Sequence, residues 1–448
     1  MGHRSGLALA IALLTPLGCP QPTTASERPA HTQHCSDVIG GRTPLQWGTF
    51  IADAEIASKG GQPRTLPGQR GRLGKGTDYA NALWAIALFR LGQATGDTRY
   101  IRYADQIIAD VVASGDGSHI ASPAVPASIR FNEMLTGRAL IEALEYDPDP
   151  RLQRAAVRFR QALNALPRTG EGVYAYHPGN IIPDGLYMTL PFQAQYGSRF
   201  GSPADHTDAV SQLRVAFQRL KDPTSGLLRH GWDGTGSEAW ARRETGQSSG
   251  YWGRGMGWYL LTVVDTLDYV PFGYDAQRAS LVAQLRWIAA GLPRWQDIRT
   301  GLWHNVPDQP GRTGNFLETS ASAMYSYALA KGMNRGYLSD IYLQTAYRAF
   351  AGIILHRLQI DAAGAPHLLY TSNVASLGRV PGQVDPQQYR DASWEYYMSE
   401  GVSADNPHAV ATFVMAAIEM DRLVQSGRCR SDRATMTPME GNRPPRLP

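Results

Sequence analysis

Four stretches of this 448-residue chain hold polar and aromatic side chains in combinations that could do chemistry: Pro183–Phe192 (PDGLYMTLPF), Arg229–Gly234 (RHGWDG), Tyr251–Tyr259 (YWGRGMGWY) and Leu302–Gly332. Asp184 is a carboxyl able to give and take a proton. It is equally an N-cap, because an Asp ahead of a helix accepts backbone N–H bonds that keep it charged. Met188 lies one turn further on, a spacing that serves a core as readily as a ligand. His230, beside Gly-Trp, is either a site residue or a hydrogen-bonded loop histidine. Trp252 offers a flat apolar face. Arg254 offers a planar fork of donors that matches a carboxylate, with a structural ion pair as its alternative role. Tyr79, in TDYANAL, opens an apolar run and by itself reads as core packing.

Other motifs are excluded by context. Gly246-Gln247-Ser248-Ser249-Gly250 matches the G-x-S-x-G elbow of serine esterases, but that elbow needs a strand before it, and here Ala-Arg-Arg-Glu-Thr precedes it. Gly68–Gly76 approaches a phosphate loop, yet Gly76 stands where Ser or Thr must ligate magnesium. The chain has no H-E-x-x-H, cysteine cluster or EF-hand loop, so neither a dedicated metal site nor a cofactor is expected.

The elements that must position these residues are helical hairpins. Asn81–Gln93 is apolar on all sides and is followed by the amphipathic Arg99–Val112. The pattern returns in Gly137–Glu145 with Leu152–Leu163, Asp184–Tyr196 with Asp208–Leu220, Gly255–Tyr269 with Ala276–Ala290, and Ala321–Ala330 with Ser339–His356. Pro407–Leu423 is a last inner helix, marked at its start by the Asn406-Pro407 cap, and Thr43–Ser58 a first outer one. An apolar helix alternating with a one-faced helix makes two layers, and six such pairs predict an all-α (α/α)6 barrel over residues 40–428. The four chemical stretches all fall at or just before inner-helix starts, so they converge on one open end. Ile360–Asp405 lacks a helical period and reads as hairpin and loop over that end.

Residues 1–25 read as a secretory signal: a basic start, the apolar run Leu7–Leu14 and small residues before Ser26. Cys19 behind Leu17-Gly18 resembles a lipoprotein site. The expected location is periplasmic or secreted, with lipid anchoring through Cys19 as a variant. No other run reaches the ~20 apolar residues of a membrane helix. Cys35 and Cys429 remain as an even pair, either joined in an oxidising compartment or as two unrelated thiols. The 43 basic and 39 acidic residues give +4, scattered rather than clustered, which gives nucleic-acid binding no support. The proline-rich tail, residues 430–448, reads as disordered.

Together with YRDASWEYYMSEGV (Tyr389–Val402), the four stretches resemble glycoside hydrolase family 105, the unsaturated rhamnogalacturonyl hydrolases, from about Tyr79 to Leu423. The unsaturated glucuronyl hydrolases of family 88 are related but fit the motifs less closely. The resemblance implies a metal-free enzyme that acts on the 4,5-unsaturated uronic acid at the end of lyase-generated oligosaccharides. It implies Asp184 as proton donor to the C4=C5 double bond, and Tyr79, Asn132, Met188, His230, Trp252 and Arg254 as substrate-binding residues, with Trp252 stacking on sugar and Arg254 reading the uronate.

Two positions depart from the family pattern. Asn132 stands where an aspartate is usual, with Glu133 as the acid if the register shifts by one. Val173-Tyr174 replaces a His-Lys pair, which implies a leaving sugar other than rhamnose. Two other readings of the same residues are an inverting glycosidase using Asp184 and Glu318, and a non-catalytic glycan-binding protein. Pectic rhamnogalacturonan, green-algal ulvan and glucuronate-capped arabinogalactan all yield suitable ends.

Overall fold

A helix that is apolar on every side needs neighbours on every side, and six helices of this chain provide them for one another. The computed structural model describes residues 1–2, 35–58, 79–113, 131–177, 179–379 and 389–429. Residues 3–25 of the expected signal, Cys19 among them, and the tail (430–448) lie outside those residues.

In chain order the helices are α1 (Pro44–Ser58), α2 (Tyr79–Thr95), α3 (Thr98–Ala113), α4 (Leu135–Ala143), α5 (Pro150–Leu163), α6 (Pro183–Phe200) and α7 (Pro203–Leu220). They continue with α8 (Gly253–Thr266), α9 (Asp275–Gly291), α10 (Thr319–Asn334), α11 (Leu343–His356), α12 (Trp394–Ser399) and α13 (Pro407–Gln425). Helices α2, α4, α6, α8, α10 and α13 pack side to side in that order, and α13 returns to α2, so the inner ring closes. Outside it α3, α5, α7, α9, α11 and α1 lie against α2, α4, α6, α8, α10 and α13 respectively. This is the (α/α)6 barrel. The periodicity difference explains the layering: α8 and α10 are buried on almost every residue, while α5 buries only Leu152, Ala155, Ala156, Phe159, Ala162 and Leu163 on one stripe.

The ring is also tied together by charge. Asp265 of α8 is fully buried and accepts from Arg138 of α4 at 2.7 Å, Lys331 of α10 at 2.5 Å and Tyr327 of α10 at 2.6 Å. Tyr187 of α6 reaches it at 3.3 Å and Arg90 of α2 at 3.5 Å. Five of the six inner helices therefore meet at one carboxylate. Burial works to raise that carboxyl, but Arg138, Arg90 and Lys331 outweigh it and hold it well below the ordinary carboxylate range.

Over the open end, Leu358–Ile360 pairs with Pro366–Leu368, and Thr371–Ser372 pairs with Val402–Ser403, both antiparallel. The expected hairpin and loop are there, with one addition. Six residues form α12, capped by the Ser393 side chain accepting from the Tyr396 N–H, a helix too short to leave a period in the sequence. Three non-glycine residues with left-handed backbone, Tyr370, Ala392 and Asp405, all lie in this covering segment.

Cys35 and Cys429 are joined, with Cα atoms 5.0 Å apart, so the bond links the chain just before α1 to the chain just after α13. The thiols are therefore not independent. Peptide mapping without reduction is expected to recover a Cys35–Cys429 cross-linked pair, and Cys35→Ser with Cys429→Ser should cost about 2–5 kcal/mol of stability in denaturant unfolding. Equal stability of the double variant would show that the barrel closes without the bond.

Candidate active site

The inner helices all begin at the same open end, and the expected site residues lie at or beside those starts. Asp184 sits in the first turn of α6. The residue that caps that helix is Ile182, with Pro183 in the first turn, so the N-cap alternative for Asp184 falls away. Its Oδ2 is shielded from water and has no hydrogen-bond partner among the described residues. Burial pushes this carboxyl up to about 7, with Arg254 and a backbone N–H pulling back against the rise. A free carboxyl with that value can hold a proton at neutral pH and release it, which a helix N-terminus alone would not permit.

Gly255 shows how tightly the parts are set. A Cβ there would stand 3.2 Å from the Trp252 ring, 3.3 Å from His230 Cδ2 and 3.8 Å from Asp184 Oδ2. A side chain there would press on the indole and the imidazole, so the glycine lets α8 lie close against both. His230 is 1% exposed, its Nδ1 shares a 2.8 Å hydrogen bond with the Tyr397 hydroxyl of α12, and its Nε2 has no partner. Burial, helped by Arg390 and Arg254, pushes this imidazole down to about 3, so it is neutral at physiological pH.

Arg254 is 2% exposed and donates to the Ser372 carbonyl at 2.6 Å, the Asn373 carbonyl at 3.0 Å and the Ser320 hydroxyl at 3.4 Å. None of these is an acid, and no ion pair to Arg254 occurs among the described residues, so the structural ion pair weighed against it is absent. A buried guanidinium held only by neutral oxygens keeps its full charge available to an anion.

Trp252 is held closely by its protein neighbours. Its indole is buried, donates to Asn305 Oδ1 at 3.1 Å, and has Arg254 4.8 Å and His230 4.9 Å from its ring centre. The ring thus packs against both Arg254 and His230 and fixes where they stand. Met188 is likewise buried in the main core, one turn beneath Asp184.

On the other flank, Asn132 precedes α4 and its Oδ1 accepts from the Tyr176 hydroxyl in a short hydrogen bond. Burial, then Asp184 and Tyr79, hold the Tyr176 phenol well above its usual range, and a Cβ on Gly185, the neighbour of Asp184, would stand 2.9 Å from the Tyr176 ring. Of the two candidates at this position, Asn132 is the one bonded to Tyr176. Val173 and Tyr174 are buried core residues, and the aromatic that reaches Asp184 from this segment is Tyr176. Tyr79 stacks on His408 at 5.3 Å, with a 2.9 Å hydrogen bond between Tyr79 Oη and His408 Nε2.

Sequence reasoning passed over Tyr176, Tyr397, Asn305 and His408. Tyr397 lay within a stretch quoted for the resemblance, and His408 directly follows the Asn406-Pro407 cap. Asn305 lay within Leu302–Gly332, one of the four chemical stretches, and only Tyr176 stood outside every segment singled out. Glu318, the second carboxylate of the inverting alternative, is the N-cap of α10: it accepts from the Ala321 N–H, the Ser320 hydroxyl and the Ser372 N–H. Its oxygens are committed, and through Ser372 they support the carbonyl that holds Arg254.

The G-x-S-x-G match is not an elbow. Ser248 donates to the Gly250 carbonyl at 2.9 Å in a loop of isolated bridges, with no strand-to-helix turn.

Residues 68–424 match the sequence model described as Glycosyl Hydrolase Family 88. A protein of Agrobacterium fabrum is 36% identical over 236 residues, 52% of this chain and 97% of its own length. The unsaturated rhamnogalacturonyl hydrolase of Bacillus subtilis is 29% identical over 45% of this chain and 56% of its own. A solved family 105 glycoside hydrolase of C. acetobutylicum superposes with a TM-score of 0.73 at 28% identity, covering 84% of this chain and 99% of that one. The closed helical ring, the open-end site and these likenesses agree: this chain belongs to glycosyl hydrolase family 88, in the group it forms with family 105, and is a glycoside hydrolase.

Proposed function

We propose that the enzyme removes the 4,5-unsaturated uronic acid from the end of lyase-generated oligosaccharides by hydrating its C4=C5 bond. The observation that carries this reading is Asp184: a carboxyl raised to about 7, with a free oxygen, near an arginine that no acid neutralises. In the reaction, the Asp184 proton passes to C4, and the positive charge at C5 is shared with the ring oxygen. Water adds at C5 and gives its proton back to Asp184. The C5 hemiketal then opens to a ketone, and C1 releases the leaving sugar. Neutral His230, with Nε2 free, is placed to orient that water, and Arg254 to hold the uronate carboxylate. The family 105 likeness and the named activity of the B. subtilis relative support the same reading. The commitment of Glu318 as a helix cap counts against an inverting pair. The disulfide and the signal-like start support placement outside the cytoplasm.

Because the donor must carry its proton, kcat/KM should fall as pH rises through about 7. A rate that instead climbs from pH 6 to 8 would mean that a carboxylate base, not an acid, limits the reaction.

Arg254→Lys keeps the charge but loses the fork that spans the Ser372 and Asn373 carbonyls. The expected result is a KM raised about tenfold with kcat little changed, if the carboxylate is held equally in ground and transition states. A fall in Tm with an unchanged KM would reassign Arg254 to holding the covering loop.

A further inference from the structure

A second polar cavity opens near this site and has no part in the mechanism above. It encloses about 460 Å³, the size of a small-ligand pocket, and its walls include Arg229, Arg242, Gln247, Arg294, Trp295 and Asp308. Each flank is continuous in the chain with the active site. Arg229 precedes His230, and Asp308 follows Asn305, the acceptor for Trp252 Nε1. Asp308 and Arg229 are also near enough to Tyr397, the partner of His230, to act on its phenol.

The charges do not cancel. Arg229 is matched by Asp222, which also accepts from the Tyr251 hydroxyl at 2.5 Å. Arg229, 7% exposed, keeps a buried Nε with no partner. Arg242 donates only to the Ser249 carbonyl at 3.4 Å, and Arg294 to the Thr224 carbonyl at 3.1 Å while lying 4.6 Å from the Trp295 ring. No described carboxylate pairs with either arginine. Asp308 has a buried Oδ1 without a partner, and burial raises its carboxyl, which disposes it to hydrogen-bond a hydroxyl rather than cancel an arginine. Two guanidiniums that no described carboxylate pairs, one of them over the partly exposed Trp295 ring, and a carboxyl with an unpartnered oxygen, in a cavity of this size, suit an anionic sugar: cations for the acid group, carboxyl for hydroxyls.

We propose that this cavity is a second carbohydrate subsite, which takes an acidic sugar residue further along the oligosaccharide and so gives the enzyme a preference for longer acidic fragments. The inference deepens the proposed function and rests on it for the identity of the chain, but its binding does not depend on turnover. The test compares the wild-type protein with the Arg242→Ala/Arg294→Ala variant in two assays. By calorimetry, saturated trigalacturonate should bind the wild type and bind the variant about tenfold more weakly, while neutral galactotriose binds neither and inorganic sulfate binds only feebly. In turnover, kcat/KM for an unsaturated disaccharide should be the same in both proteins, and for unsaturated hexasaccharides about tenfold lower in the variant. Equal trigalacturonate binding by both proteins would overturn the subsite, as would equal binding of galactotriose, or sulfate binding as tightly as the uronate. Failure of turnover with binding intact would count against the proposed reaction and leave the subsite standing.

Discussion

Asp184→Asn is expected to lower kcat on unsaturated oligosaccharides by about 10²–10⁴-fold, the usual contribution of a positioned general acid, while the barrel stays folded. The amide has the shape of the acid and no proton to give. Folding should be unaffected because, among the described residues, no side-chain hydrogen bond from Asp184 holds the helix: the cap is Ile182, and Oδ2 is unpartnered. Removing a buried carboxyl that burial disfavours could even raise Tm slightly above neutral pH, where the wild type must carry the charge. Circular dichroism and Tm alongside kinetics separate loss of chemistry from loss of structure. Wild-type turnover by this variant would remove Asp184 from the reaction.

Asp265→Asn should do the opposite, acting on stability first. Breaking a buried ion pair from one side strands the partner, at a cost of about 3–5 kcal/mol, and here the side removed is the one that Arg138, Lys331 and Arg90 share. Denaturant unfolding should show the midpoint falling with the slope unchanged. Asp265 lies well below its unfolded value, so its contribution is present above the ordinary carboxylate range and is lost only as pH falls beneath it. Stability at neutral pH should therefore not depend on this group's titration. Unchanged stability of Asp265→Asn would mean that apolar packing alone holds the inner helices together.

The barrel was legible because its two layers have different burial patterns, and burial is what hydrophobic periodicity records. Asn81–Gln93 read as apolar all round and Arg99–Val112 as one-faced, and they became α2 and α3. The helix starts were legible to within a few residues, as with α8, which begins at Gly253 rather than Gly255. What the sequence could not reveal is which side chain a site residue faces. Trp252 and Arg254 were found by type and spacing, but whether the indole met a sugar or a guanidinium depended on the approach of α8 past Gly255. Tyr176 and Tyr397 come from segments far apart in the chain and meet the site only through the loops over its open end. Glu318 had the right chemistry for a second acid, and only its three hydrogen bonds reveal that it is occupied. The Asp265 cluster likewise joins residues from five helices, none of which signals a partner in its own stretch.

The central claim is tested most directly with a matched pair of disaccharides that share a leaving sugar and differ in whether the terminal uronate carries the C4=C5 double bond. The account predicts that the unsaturated member is split, with loss of its ultraviolet absorbance in step with release of the leaving sugar, and that the saturated member is left intact, because protonation at C4 requires the double bond. Cleavage of both members at similar rates would contradict it and identify a glycosidase that works at C1.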